Sequence, residues 1–218
     1  MQRSLFGLIG IVSIATTCGT GNKAVNPDEM SADQHREEAE RERRKAGDQR
    51  KQYRPSAERT VVMPDKAGVI FDHPVYNRTD VHLAHAATME KHARQHEAAA
   101  KYLQKFEEGE CVQFAPAIRA SCPLLGPVIR IDNIPGGVRV WLAPGVSPDA
   151  VVAHMRCHYA YARTRAFENT TCALYVRGIE IRRGHDPATI EIVSPAPAGE
   201  QEIRARSREE SLLINGKG

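Results

Sequence analysis

From Asp80 onward the chain carries no glycine or proline until Gly109, and the stretch is rich in Ala, Glu and Lys. These residues lose little side-chain freedom in a helix, so a run this free of breakers has one favoured backbone state. The sequence predicts a single long helix over 79–110, from about Asp80 to Glu110 with Thr79 as N-cap. Along it His82, His85, Met89, His92, His96, Ala99, Leu103 and Phe106 recur three or four residues apart and share one stripe. The C-terminal half of that stripe is ordinary core chemistry. Its N-terminal half is histidine and methionine, and a buried imidazole needs a partner for its N–H while a protonated one is costly to bury. The expectation is a divided helix: Leu103 and Phe106 dock on a sheet with Ala99, and His82–His96 projects beyond the domain, exposed.

After Cys111 the period changes. Pro127–Asn133 and Val138–Ala143 alternate as strands do, with Ile134-Pro135-Gly136-Gly137 as a hairpin turn whose glycines can take positive φ. Ser147-Pro148 opens a helix that runs to about Arg165. Ala173–Arg182 and Thr189–Ser194 read as a second hairpin, and Gln201–Leu213 as a closing helix docked through Ile203, Leu212 and Leu213. The fold class is therefore α+β: residues 111–214 form a small four-stranded antiparallel sheet with helices on one face, preceded by the long helix and a disordered tether. Strand order is not readable from the pattern.

The N-terminus reads as an export signal. Arg3 is basic, Leu5–Ile14 is an apolar stretch too short for the ~20 residues a membrane-spanning helix needs, and Ala15, Thr16 and Thr17 precede Cys18. Small residues directly before cysteine resemble the lipobox of bacterial lipoproteins, with Ala15 and Thr17 departing from its preferred residues. The resemblance implies a signal peptide over 1–17, lipidation of Cys18, and a membrane-anchored lipoprotein on the periplasmic or outer-membrane face. Cleavage after Ala15, giving a soluble exported protein, is the alternative. It would leave five cysteines, an odd number, in an oxidising compartment, whereas lipidating Cys18 leaves four. Those four, Cys111, Cys122, Cys157 and Cys172, are disulfide candidates with three pairings. Closing short loops favours Cys111–Cys122 with Cys157–Cys172. Residues 18–78, with the charge-dense Arg36–Lys51 and no apolar face, read as a flexible charged tether.

Net charge is only +3, and one Trp with six Tyr supplies no interleaved stacking set, so nucleic acid is not an expected partner. No nucleophile elbow, phosphate loop, dinucleotide fingerprint or zinc-protease motif occurs, and the expectation is a non-enzyme. The histidines are the sharper feature. His92 and His96, and His154 and His158, are i,i+4 pairs, a spacing that places two imidazoles on one helix face where Zn, Cu or Ni can bind. His82, His85 and Met89 extend the first pair. A satisfied core histidine and chance spacing explain the same pattern.

The succession ARQHEAAAKYLQKFEEGEC, a Gly-Gly hairpin, MRCHYAYA, CALYVRGIEI and EIRARS resembles a group of exported lipoproteins from myxobacteria and related bacteria, over roughly residues 90–207. Cys122 is additional to that group's cysteines, and Ala173 stands where it has Pro after Cys172. The resemblance implies location and domain extent and supplies no mechanism. Two functions follow as expectations. One is a structural or protein-interaction module, held to the membrane by its N-terminal lipid, with envelope proteins as partners and no cofactor. The other is a lipoprotein that binds or senses a transition metal (Cu, Zn or Ni) through the His/Met stripe.

Overall fold

The computed structural model describes residues 26–57, 61–64, 70–73, 77–168 and 171–215, so the signal segment and Cys18 lie outside the described residues. In chain order come α1 (Ala32–Gln52), a hairpin of β1 (Val61–Pro64) and β2 (Ile70–His73), α2 (Asp80–Glu110) and α3 (Pro116–Arg119). The sheet unit follows as β3 (Val128–Ile134), β4 (Gly137–Leu142), α4 (Pro148–Thr164), β5 (Glu180–Arg183), β6 (Thr189–Val193) and α5 (Pro197–Asn215).

The four-stranded sheet has the order β3-β4-β6-β5 with every neighbour antiparallel. Alternation along the strands divides its faces. Val138, Val140 and Leu142 of β4 and Ile190 and Ile192 of β6 point to one side, where Met155 of α4, Ile203 of α5 and Leu174 complete the core. On the other side Glu191 stands in register between Arg139 and Arg182 and accepts from both, at 2.9 and 3.1 Å. The Arg139 and Arg182 hydrogen bonds hold the Glu191 carboxyl below the usual carboxylate range against the cost of desolvation. Two residues of the β3–β4 turn do different work. Gly136 takes φ +85°, as expected, whereas Gly137 lacks a side chain for room: a Cβ there would sit 2.1 Å from the Ile192 carbonyl oxygen.

Ser147 caps α4 through Ala150 N–H with Pro148 in the first turn, as the sequence implied. The second hairpin is shorter than expected. Ala173–Tyr175 is a 3-10 turn buried in the core, so Cys172 does not open a strand, and β5 begins only at Glu180. Ile203 is fully buried, but Leu212 and Leu213 are exposed and do not dock α5.

The largest departure is α1. Residues expected to be tether form a 21-residue helix opened by a capping box, in which Ser31 Oγ accepts from Gln34 N–H and Gln34 Oε1 accepts from Ser31 N–H. It lies antiparallel along α2, tied by His35–His96, Gln49–His82 and the ion pairs Arg43–Glu97 and Arg50–Glu90. That register sets Ala32, Ala39 and Ala46 level with Ala100, Ala93 and Ala86. All six are at most 5% exposed and recur every seven residues, the repeat of an antiparallel coiled coil. Alanine lets the helix backbones approach closely, so contact between the helices replaces the broad apolar stripe that α1 lacks. Together α1 and α2 make an arm whose root is fixed where Arg177 donates to the Asp28 and Glu29 carbonyls.

Candidate functional site

The arm redistributes the His/Met stripe. His82, Met89 and His96 fall seven residues apart, on the side of α2 turned to α1, and each is half-buried. His82 Nδ1 donates to Gln49 Oε1 at 2.7 Å, and His96 Nδ1 lies 2.9 Å from His35 Nδ1, the two rings sharing one hydrogen. His85 is exposed, and His92 is half-buried. The expected exposed stripe is thus corrected: His82 and His96 take separate partners on α1, and of the five His and Met residues only His85 stays exposed. Lower on the helix, Leu103 is buried and Phe106 half-buried under the Arg163 guanidinium of α4, so this end docks on α4 and not on the sheet. The second pair also splits. His154 stacks on Phe114 and meets the Ile118 carbonyl at 3.3 Å, while His158 points into the core.

The His35–His96 pair joins the two helices of the arm through imidazoles that burial disposes against protonation. Burial and the neighbouring ring hold His35 below the usual imidazole value. Burial also lowers His96, against the raising influence of Glu38 and Glu42, with His92 and Arg41 acting alongside burial and Asp28 opposing it at His35. A folded-state value below the unfolded one means that stability is complete above the unfolded pKa, about 6.5, and is lost as pH falls through the folded value. The protection factors of the α1 amides should therefore fall between pH 7.5 and 5 while those of the sheet amides hold. Equal protection factors in α1 at both pH values would show that the pair does not couple to the arm.

The root of the arm is clasped to the domain. Cys111, one residue past α2, is bonded to Cys157 of α4, with a Cα–Cα distance of 4.6 Å. This corrects the expected pairing of Cys111 with Cys122 and of Cys157 with Cys172. Beside the bond, Glu107 accepts from Thr164 Oγ1 at 2.6 Å, Arg119 Nη1 at 3.1 Å and Arg165 Nη1 at 3.2 Å. Burial opposes its charge, but the Thr164 hydroxyl and the two guanidiniums outweigh it and hold the carboxyl below its ordinary range.

The other two described cysteines meet elsewhere, Cys172 in the core and Cys122 packed against it. Cys122 follows α3 and Cys172 precedes the buried 3-10 turn; their Sγ atoms are 2.6 Å apart and unbonded. A ring nitrogen of His158 joins them, the three ligand atoms lying within 4.8 Å of one another. His158 Nδ1 is 2.8 Å from the Arg119 carbonyl oxygen, which can only accept, so Nδ1 carries the hydrogen and Nε2 a free lone pair. Burial lowers the pKa of that imidazole, which keeps it neutral. From α5, Glu210 accepts at Oε1 from the Cys122 thiol at 3.2 Å and from Ala173 N–H at 3.3 Å. Burial pushes the Glu210 carboxyl up, and it pushes the Cys172 thiol up as well. His158 Nε2 and Glu210 Oε2 are both buried without a hydrogen-bond partner. The cluster floors a cleft of about 320 Å³ that opens beside Leu125 and Leu213.

Of the residues singled out in the sequence, His158, Cys122 and Cys172 converge. His82, His85, Met89, His92, His96 and His154 do not join them. His35, Glu107 and Glu210 were missed, because a lone charged residue in a polar helix carries no signal until a neighbour desolvates it. Comparison with protein-family models, curated proteins and solved structures gives no significant match.

Proposed function

We propose that this chain is an exported lipoprotein, acylated at Cys18, that works as a non-enzymatic interaction module of the cell envelope and offers its helical arm to a partner protein. The observation that carries the reading is the arm itself. The two longest described elements pack on each other along a seam of alanines, and α2 meets the rest of the domain chiefly through α4. At 1.5 Å per residue the 21-residue α1 gives the arm a reach of about 30 Å. Its distal end exposes Val81 and Leu83, apolar residues that a solvated spacer would not need. The resemblance to myxobacterial-type exported lipoproteins agrees with this location.

Anchoring also sets distance. Asp28, at the root of the arm, is ten residues after Cys18, so at about 3.5 Å per residue the root stays within roughly 35 Å of the acyl group. Multiple acyl chains hold such a domain firmly where a single chain would bind only marginally. The test has two readouts on protein made in an exporting bacterium. Mass spectrometry of the membrane fraction should find an N-terminal peptide beginning at acylated Cys18; an unmodified peptide beginning at Thr16 would overturn the anchor. A photo-crosslinker at Leu83 should capture an envelope protein, and one at Glu180 on the far sheet edge should not. Equal labelling at both positions, or none at Leu83, would overturn the role given to the arm.

A further inference from the structure

We propose that Cys122, His158 and Cys172 form a zinc-class metal site, with Glu210, which accepts from the Cys122 thiol, beside it and a fourth position open to the cleft. Two sulfurs and one imidazole suit Zn(II), which takes water as a fourth ligand where the protein supplies three, whereas Cu(I) favours soft ligands throughout. The orientation of His158 is that of a prepared ligand. One ring nitrogen donates to a backbone carbonyl, which fixes the tautomer and leaves the other lone pair free, the arrangement by which proteins orient metal-bound imidazoles.

The alternative use of the two sulfurs is a second disulfide, and the unpartnered atoms weigh against it. A Cys122–Cys172 bond would remove the thiol hydrogen that Glu210 Oε1 now accepts. It would leave His158 Nε2, in a residue 1% exposed, and Glu210 Oε2, in a residue 3% exposed, still without partners. Buried polar groups left so are costly. A metal ion accounts for the two sulfurs and the free His158 Nε2 together. Binding displaces two thiol protons, Zn²⁺ + 2 R–SH giving Zn(S–R)₂ + 2 H⁺, so affinity rises with pH. In a tetrahedron with Zn–S bonds of about 2.3 Å the sulfurs stand about 3.8 Å apart, so they must open from 2.6 Å. Cys122 is half-exposed in an irregular segment, which leaves room for that movement. The cleft beside Leu125 and Leu213 is the entry path.

The site is tested on the full mature chain, extracted in mild detergent under anaerobic conditions, stripped with chelator and titrated with Co(II). One equivalent should bind with thiolate-to-cobalt charge-transfer and tetrahedral d–d bands, and Zn(II) should displace it. Cys122→Ser and Cys172→Ser should lose the charge-transfer band or most of it. His158→Asn should weaken binding by more than about 100-fold and Glu210→Gln by about 10-fold. His92→Ala, on the arm, should change nothing. Retention of the Cys111–Cys157 bond in each variant shows that the domain has folded, and Glu210→Gln, the mildest change, keeps the comparison usable if a cysteine variant does not. Peptide mapping that finds Cys122 bonded to Cys172 in freshly extracted protein would overturn the proposal. So would two free thiols that take up neither Co(II) nor Zn(II) more tightly than about 10 µM.

Discussion

Replacing Cys111 and Cys157 together by alanine should lower the unfolding free energy of the domain by about 4 kcal/mol, the loop-closure contribution of a bond spanning 46 residues. Both cysteines are fully buried, so the variant leaves small apolar side chains in place of sulfur and little cavity. The effect goes beyond stability, because this bond joins the end of α2 to α4 and so holds the arm to the domain. Urea unfolding of the variant beside the parent checks it. A difference below about 1 kcal/mol would mean that Glu107, with Thr164, Arg119 and Arg165, holds the root without help from the bond. The double replacement leaves Cys122 and Cys172 untouched, so its outcome is independent of the state of that pair.

Ala93→Leu should detach α1. Ala93 is 1% exposed and stands level with Ala39, where the helix backbones are close. Three added carbons in such a seam cost about 1–3 kcal/mol or more. Against this, the six seam alanines contribute on the order of 5 kcal/mol at ~0.8 per buried methyl-sized group, as an upper bound. One substitution thus cancels much of what holds the arm closed. Once released, α1 has no broad apolar face to bury elsewhere, and tertiary packing supplies most of a helix's stability in a protein. Hydrogen exchange should show the amides of α1 and of the N-terminal half of α2 losing protection while the sheet keeps it. Ala87→Leu, on the exposed side of α2, should leave both unchanged. If Ala93→Leu keeps full protection in α1, the alanine seam is not the source of the arm's stability.

Local sequence pattern displays neither the Cys111–Cys157 bond nor the alanine seam. Arg36–Lys51 has no broad apolar stripe and so looks like tether, yet the helix signal is present in two small forms. Ser31 and Gln34 make a capping box, and Ala32, Ala39 and Ala46 repeat every seven residues in the sequence. Alanine contributes so little hydrophobicity that such a repeat looks neutral until a second helix with the same repeat lies against it. The cysteines were misread for a related reason. Short loops close cheaply in an unfolded chain, but a disulfide needs its Cα atoms within about 4.4–6.8 Å in the folded one. Helix docking, and not sequence distance, brought Cys111 to Cys157.

What the sequence determined by itself is local: the extent of α2, from the absence of breakers; the start of α4, from Ser147 and Pro148; the first hairpin at Gly136 and Gly137; and the α+β class that follows from their order. Each depends on backbone preferences of a few neighbouring residues, which the chain carries wherever it goes. The tertiary structure alone decided the strand order, the partner of the histidine stripe, the disulfide pairing, and the meeting of Cys122, His158, Cys172 and Glu210 from four separate segments. Those outcomes turn on which surfaces are desolvated together. Desolvation belongs to a pair of packed elements and is not written in either one.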